Sequence, residues 1–133
     1  MPVYMLDSGT STAILKRTGA PLKRLSGVAV AEVCISAVTH SELMFGVAMS
    51  RREAQDQAML DLFLKYVAVL EYPRAAAGHY GEIRMALELR GEMIGANDLL
   101  IAAHARCLGL TLVTDKPKKL GRVPGLGVEC WSS

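Results

Sequence analysis

Acidic side chains recur in this sequence at points where apolar segments begin or end. Asp7 follows the apolar run Val3–Leu6. Glu42 comes a few residues after a second apolar run, and Asp98 opens a nearly all-apolar segment. Carboxylates held close together repel one another unless a cation lies between them. Oxygen ligands without a His or Cys pattern favour Mg²⁺, or Mn²⁺ as a substitute, over zinc, and such ions commonly meet substrates through phosphate oxygens. The three acids therefore predict a metal site that hydrolyses phosphodiester bonds.

Each acid also has an explanation that requires no ligand. Asp7 and Asp98 could each cap a helix that begins beside them. The stretch Thr39-His40-Ser41-Glu42 matches a capping box, in which the glutamate only accepts from a backbone N–H group. Caps explain an acid at the start of a helix, but they do not explain three acids at one edge of a sheet.

The elements that must position these acids alternate between strand and helix patterns. Short apolar runs predict buried strands over 3–6, 28–35, 67–72 and 110–114, with a last extended piece near Val128. Helical spacing predicts helices over 11–17, from Pro21, around 38–47, and over 51–66, 74–90 and 98–108. This alternation predicts one α/β domain over residues 1–133 with a central, mainly parallel sheet.

In such a sheet, ligands bind at the edge formed by the carboxyl ends of the strands. Asp7 follows the first predicted strand at this edge, and Thr114 and Asp115 lie at the carboxyl end of the strand predicted over 110–114. The predicted fold therefore brings several carboxylates to one place.

Composition excludes several classes of protein. Hydrophobic residues make up 51% of the chain and aromatic residues only 5%, which predicts an aliphatic core rather than a disordered or fibrous chain. The three cysteines show no disulfide or zinc spacing, which indicates a reducing compartment. The N-terminus lacks the basic region of a signal peptide, and no apolar run approaches the ~20 residues of a membrane span. We expect a cytoplasmic protein without a membrane contact.

Basic residues crowd one segment near the C-terminus, although the net charge is only +2. The members of this cluster are Lys116, Lys118, Lys119 and Arg122. The cluster could hold the phosphates of a nucleic acid through its local potential, or it could be a solvated loop.

Other catalytic patterns are weaker. The three histidines lack metal-binding spacing, and there is no phosphate-binding loop or dinucleotide fingerprint. A phosphatase acting on a small metabolite would usually carry a nucleophilic aspartate and a second aspartate two residues later. Gly9 occupies that second position after Asp7, which disfavours a phosphatase.

Four stretches carry a resemblance to a known family: Tyr4-Met5-Leu6-Asp7; Cys34-Ile35-Ser36 with Ser41-Glu42-Leu43; Ile94 to Ala105; and Leu112-Val113-Thr114 with Arg122 to Trp131. In these stretches the chain resembles the PIN-domain ribonucleases, and specifically the toxins of VapBC-type toxin–antitoxin modules. The resemblance implies a PIN-like α/β/α sandwich, Mg²⁺-dependent cleavage of structured RNA, often tRNA, and a homodimer. It also implies inhibition by a small antitoxin, with which the chain could form a hetero-oligomer.

The resemblance assigns the metal to Asp7, Glu42 and Asp98 by position. Two departures fall beside these acids, namely Gly9 in place of the family's usual Asn and Lys116 in place of an Asn or Asp. A third is the pair Lys118-Lys119, where the family is usually acidic and then aromatic.

We predict the remaining site residues from these departures. Asp115 is expected to supply the acid that is missing at position 116, as a fourth catalytic carboxylate. RNA contacts are expected from the hydroxyls of Ser8 and Thr114 and from Lys116, Lys118, Lys119 and Arg122. The alternative is a catalytically impaired domain that acts only by binding RNA or its antitoxin.

Overall fold

The computed structural model describes residues 1–17 and 19–132. These residues form five strands and seven α-helices, with two helices in each of the first three connections between strands and one in the last. In chain order they are β1 Tyr4–Leu6, α1 Ser8–Leu15, α2 Gly19–Ser26, β2 Val33–Ser36, α3 Ala37–Ala48, α4 Glu53–Tyr66, β3 Ala68–Leu70, α5 Ala76–Arg90, α6 Ala96–Leu108, β4 Thr111–Val113, α7 Pro117–Leu120 and β5 Val128–Glu129.

All strand pairs in the sheet are parallel, in the order β3-β2-β1-β4-β5. The central strand β1 aligns Leu6 with Ile35 of β2 on one side and with Val113 of β4 on the other. The carboxyl ends of these three strands therefore lie side by side. This confirms the predicted α/β fold with a central parallel sheet.

Two apolar cores cover the two faces of the sheet, because successive strand residues point to opposite sides. Met5, Cys34 and Leu112 pack against α5, α6 and α7. On the other face, Leu6 and Val113 pack against α1, α3 and α4. All five side chains are fully buried, and burying one aliphatic side chain of this size contributes about 1.5–3 kcal/mol.

The second strand is shorter than the predicted run 28–35. Residues Val30–Glu32 form a 3₁₀ turn, and β2 begins only at Val33. Its partner β1 has three residues. The N–H of Val3, just before β1, donates to the carbonyl of Glu32 at 2.8 Å, and Pro2, one residue earlier, has no N–H group to donate. The parallel ladder therefore ends near this point, and Val30 remains exposed. Composition alone overestimated the length of this strand.

Two helices also differ from the prediction. Helix α1 begins at Ser8 rather than Ser11, because the side chain of Asp7 caps it. The basic segment after Lys116 contains the short helix α7, where the sequence predicted no helix and offered a solvated loop as one alternative. Proline is tolerated at the first position of a helix, since the N–H that it lacks has no partner there. Pro117 occupies this first turn.

The C-terminal tail closes the edge of the sheet through Trp131. This side chain is fully buried, contacts the ring of Tyr4 edge-on at 5.4 Å, and donates from Nε1 to Glu129 at 2.9 Å. The guanidinium of Arg24 lies 5.4 Å from the indole centroid and pairs with Glu129. These contacts hold β5 beside the core that contains Leu6 and Val113. Among residues 1–17 and 19–132, no helix has the length and apolar character required to cross a membrane.

Candidate active site

Asp7 lies where β1 passes into α1, and it is only 2% exposed. One carboxylate oxygen accepts a hydrogen bond from the backbone N–H of Thr10 at 2.8 Å. The cap explanation is therefore correct for this oxygen. The other oxygen, Oδ2, is buried and finds no hydrogen-bond partner among the described residues. A buried charged oxygen without a partner is costly, which is the condition that a bound cation relieves.

Burial raises the pKa of Asp7, and the negative charge of Asp115 adds to this effect. Interactions with Thr114 and with the backbone of Thr10 act in the opposite direction and are outweighed. Since the charged carboxylate is disfavoured in the folded protein, Asp7 favours folding only while it is protonated. The free energy of unfolding therefore falls as the pH rises through the pKa of Asp7 in the folded state.

Replacing Asp7 by Asn tests this charge. At pH 7 without metal, we expect Asp7→Asn to raise the melting temperature by a few degrees, because the buried charge is removed. We expect Mn²⁺ at about one hundred times its Kd to stabilise the wild type by about 2.7 kcal/mol. The variant should lose most of this gain. Thermal denaturation with and without Mn²⁺ measures both effects. An unchanged melting temperature of the wild type in millimolar Mn²⁺ would contradict a metal at Asp7.

Glu42 lies in the middle of α3 and does not serve as a cap. The helix begins at Ala37, and its N-cap is Ser36, whose hydroxyl accepts from the backbone of Val38 at 3.1 Å. The capping-box interpretation of residues 39–42 is therefore wrong. Instead, the carboxylate of Glu42 accepts a hydrogen bond from the hydroxyl of Ser8. Ser8, which we predicted as an RNA contact, thus orients an acid on a neighbouring helix.

Asp98 is the third residue of α6, and its carboxylate caps nothing. The helix begins after Gly95, and no side chain caps it by a hydrogen bond. Asp98 Oδ2 accepts from the ammonium of Lys116 at 2.8 Å. Two residues predicted for different roles, a metal ligand and an RNA contact, are therefore ion-paired with each other.

Asp115 lies directly beside Gly9. A Cβ atom on residue 9 would come within 2.5–2.7 Å of the carboxylate of Asp115. The carboxylate therefore fills the space that a side chain at position 9 would need. Strand β4 ends at Val113, and the hydroxyl of Thr114 accepts from the backbone of Lys116 at 2.9 Å. Because the chain turns here, the alternation of an extended strand does not direct Asp115 away from the site.

A cavity of about 920 Å³ opens between these elements. Among the predicted residues, Ser8, Glu42 and Asp115 line it, and Gly9 forms part of its wall. The sequence prediction missed its other lining residues: Thr12, Val38, Ser41, Leu43, Phe45 and Asn97. The position of Asn97, next to Asp98, was the one available signal.

The remaining basic residues differ in their exposure to solvent and in their ion pairs. Lys118 and Lys119 are exposed on α7. Arg122 is half-buried, and its Nε lies 3.8 Å from a carboxylate oxygen of Glu92. The two lysines are therefore more available to a phosphate than Arg122.

The donors at this edge suit a hard cation with an incomplete protein shell. In residues 1–17 and 19–132, no group of three His, Cys, Asp or Glu side chains is placed so that it could hold a metal ion by itself. Mg²⁺ usually keeps several waters and binds through one or two carboxylates together with substrate phosphates. The unpartnered oxygen of Asp7 fits such an ion, and neighbouring acids could hold its waters.

Comparison with known proteins identifies the family. The PIN domain model matches residues 4–125. The chain is 37% identical to ribonuclease VapC2 of Rickettsia felis, with 97% of this chain and 98% of that one covered. It is 36% identical to the tRNA(fMet)-specific endonuclease VapC of Shigella flexneri, over 97% and 98% of the two chains.

The fold matches in the same way. The structure of VapBC2 from Rickettsia felis bound to a DNA fragment from its promoter superposes with a TM-score of 0.91 at 35% identity, and covers 97% of this chain and 98% of that one. The match with the family model and these full-length similarities agree with the resemblance seen in the sequence. The chain belongs to the PIN-domain family and, within that family, to the VapC group.

Proposed function

We propose that this chain is a toxin that hydrolyses RNA as a Mg²⁺-dependent endoribonuclease. The observation that carries the proposal is the unpartnered, buried oxygen of Asp7 at the sheet edge where Glu42 and Asp115 line the cavity. The names of the relatives support RNA as the substrate class, since both are ribonucleases or RNA endonucleases. One relative is named for tRNA(fMet), which supports a structured RNA.

The chain's own residues would prepare the site for an in-line displacement. Asp7, Glu42 and Asp98 would hold the ion, directly or through its water ligands, and Ser8 keeps Glu42 in position through its hydroxyl. When bound, the ion would activate a water molecule and offset the charge on the phosphate and the leaving oxygen. Asp115 would add a fourth carboxylate from the space beside Gly9.

The RNA backbone would be held by the basic segment. Lys118 and Lys119 project from α7 with exposed ammonium groups, and α7 directly follows the acidic edge of the sheet. Lysines in such a position bind phosphates without regard to sequence. Recognition of one particular RNA would then depend on the cavity wall, where Phe45 and Asn97 offer an aromatic face and an amide.

Cleavage of RNA is the direct test of this function. We expect the purified chain, incubated with total RNA, to generate new ends at few sites when Mg²⁺ is present. No new ends should form when EDTA replaces Mg²⁺. Sequencing of the new ends identifies the RNA and the bond that is cut. Binding of RNA without any new ends would instead support the impaired domain, in which Lys116 has silenced the site by pairing with Asp98.

We further propose that a small antitoxin protein binds this chain through an apolar groove. The groove has a volume of about 430 Å³ and is lined by residues of α1, α2 and α4 and of the chain just before β2. Exposed side chains such as Leu22, Leu62 and Tyr66 border it. Helix α1 connects it to the acidic cavity, since Ile14 lines the groove and Thr12 lines the cavity. One peptide could therefore fill the groove and place an arginine near the acids.

A homodimer is the assembly that we propose for the free chain. Helix α5 exposes Met85 at 66% and Leu89 at 82%, one turn apart on the same side of the helix. Exposed apolar patches on a soluble protein commonly mark an interface. The dimer could then combine with antitoxin chains into a larger complex.

A further inference from the structure

A lysine of this chain is ion-paired with one of the candidate metal ligands. The ammonium of Lys116 lies 2.8 Å from Asp98 Oδ2. Burial works against its charged form, but the carboxylates of Asp98, Asp7 and Asp115 outweigh burial and raise the pKa of Lys116. The charge of Lys116 therefore interacts with several acids, and its ammonium donates a hydrogen bond to Asp98.

The backbone directs this lysine towards the acids. The N–H of Lys116 donates to the hydroxyl of Thr114 at 2.9 Å, and Pro117 begins α7 at the next residue. Proline has a fixed φ and limits the residue before it. The lysine side chain itself stays flexible, with 42% of it exposed, so that its ammonium can move while its Cα remains in place.

The buried oxygen of Asp7 shows that Lys116 compensates only part of the negative charge of this site. Asp7 Oδ2 has no hydrogen-bond partner in the described part of the chain, although Asp7 is 2% exposed. Lys116 supplies one positive charge, whereas Asp7, Glu42, Asp98 and Asp115 carry four negative charges when they are ionised. The net negative charge of the site therefore still favours a divalent ion. One of the carboxylates that the ion would use, Asp98, is already paired with Lys116.

We propose that the Lys116 ammonium is a built-in counter-ion of the acidic site, which occupies Asp98 in the metal-free protein and competes with a divalent ion for that carboxylate. The proposal rests on the proposed function, because it assumes that the acids bind a metal. A divalent ion that uses Asp98 must displace the ammonium and then remains a few ångström from a positive charge. Lys116 thus weakens metal binding and stabilises the empty site.

Titration of RNA-free protein with MnCl₂ in a calorimeter tests this competition. We expect Lys116→Met, which keeps the length of the side chain and removes its charge, to bind Mn²⁺ at least about tenfold more tightly than the wild type. Lys116→Arg, which keeps the charge, should bind Mn²⁺ like the wild type. Without metal, Lys116→Met should melt at a lower temperature, because the acids lose their counter-ion.

Two further variants separate the contact between Lys116 and Asp98 from the effect of the overall charge of the protein on Mn²⁺ binding. Lys65→Met removes an exposed charge from the last turn of α4 and should leave Mn²⁺ affinity unchanged. In an Asp98→Asn background, Lys116→Met should lose most of its effect on affinity, because the carboxylate that both cations share is gone.

An unchanged or weaker Mn²⁺ affinity in Lys116→Met overturns the proposal, and so does equal tightening in Lys65→Met. Absence of Mn²⁺ binding in both the wild type and Lys116→Met also overturns it. The outcome is independent of RNA cleavage, because the titration contains no RNA. If the wild type binds Mn²⁺ and cuts RNA while Lys116→Met binds Mn²⁺ no more tightly, the proposed function stands, and the proposal that Lys116 is a counter-ion is rejected.

Discussion

Asp98→Asn is expected to lower the rate of RNA cleavage at least about a hundredfold, which is the usual scale for removing one charge-stabilising group from an active site. The free energy of unfolding should change little. Asp98 caps nothing in α6, and its ion pair with Lys116 is partly exposed. Such pairs contribute about 0–1 kcal/mol. Cleavage assays and urea denaturation of the same preparation separate loss of activity from loss of fold.

Asp61→Asn is the matched control for this prediction. Asp61 is exposed on α4, where its carboxylate accepts from the side chain of Gln57, and Asn keeps an acceptor for this contact. The control variant should cut RNA at the wild-type rate. If Asp98→Asn also cuts at the wild-type rate, Asp98 takes no part in the mechanism.

Expression of this chain alone should stop the growth of a bacterial host. Co-expression of the proposed antitoxin, which the resemblance to VapBC modules implies is encoded beside this chain, should restore growth. Leu62→Arg should keep the chain toxic but prevent rescue. The reason is that a partner filling the apolar groove would have to bury the new charge without a counter-ion. We expect this substitution to weaken the binding of the partner at least about tenfold. Growth curves and pull-down of the co-expressed protein measure the two effects.

Ala58→Arg provides the control for this second prediction. It adds the same charge to an exposed position on the same helix, outside the lining of the groove, and rescue should persist. Equal growth with and without the partner, when the chain is produced in soluble form, would contradict the toxin proposal. Rescue of Leu62→Arg would place the partner elsewhere on the surface.

The order of elements could be predicted because each strand is short, apolar and followed by a helical pattern. Leu6, Ile35 and Val113 are buried on one face of the sheet, as continuous apolar runs require. The length of β2 could not be predicted, because it depends on the three residues of its partner β1. Local composition contains no information about the neighbouring strand. The same limit applies to α1, whose start depends on which atom the Asp7 side chain accepts from.

The carboxylates themselves were predictable, but their partners were not. Sequence places Asp7, Glu42 and Asp98 near one edge through the rule that parallel strands share their carboxyl ends. It does not show that Ser8 reaches Glu42 or that Lys116 reaches Asp98. Side-chain contacts between distant segments depend on rotamers and on loop geometry. The turn after Thr114, which brings Asp115 against Gly9, is the clearest example.

Because β1 lies in the middle of the sheet, the acidic site can assemble only late in the synthesis of the chain. This strand is synthesised before its two neighbours, which come from residues 33–36 and 111–113. Pairing between such distant segments makes folding slow, since the chain must close long loops before these contacts form. The acids at 7, 42, 98 and 115 can meet only after residue 115 has left the ribosome. For the proposed endoribonuclease, a nascent chain that ends before this residue therefore lacks the complete acidic site and should not cleave RNA.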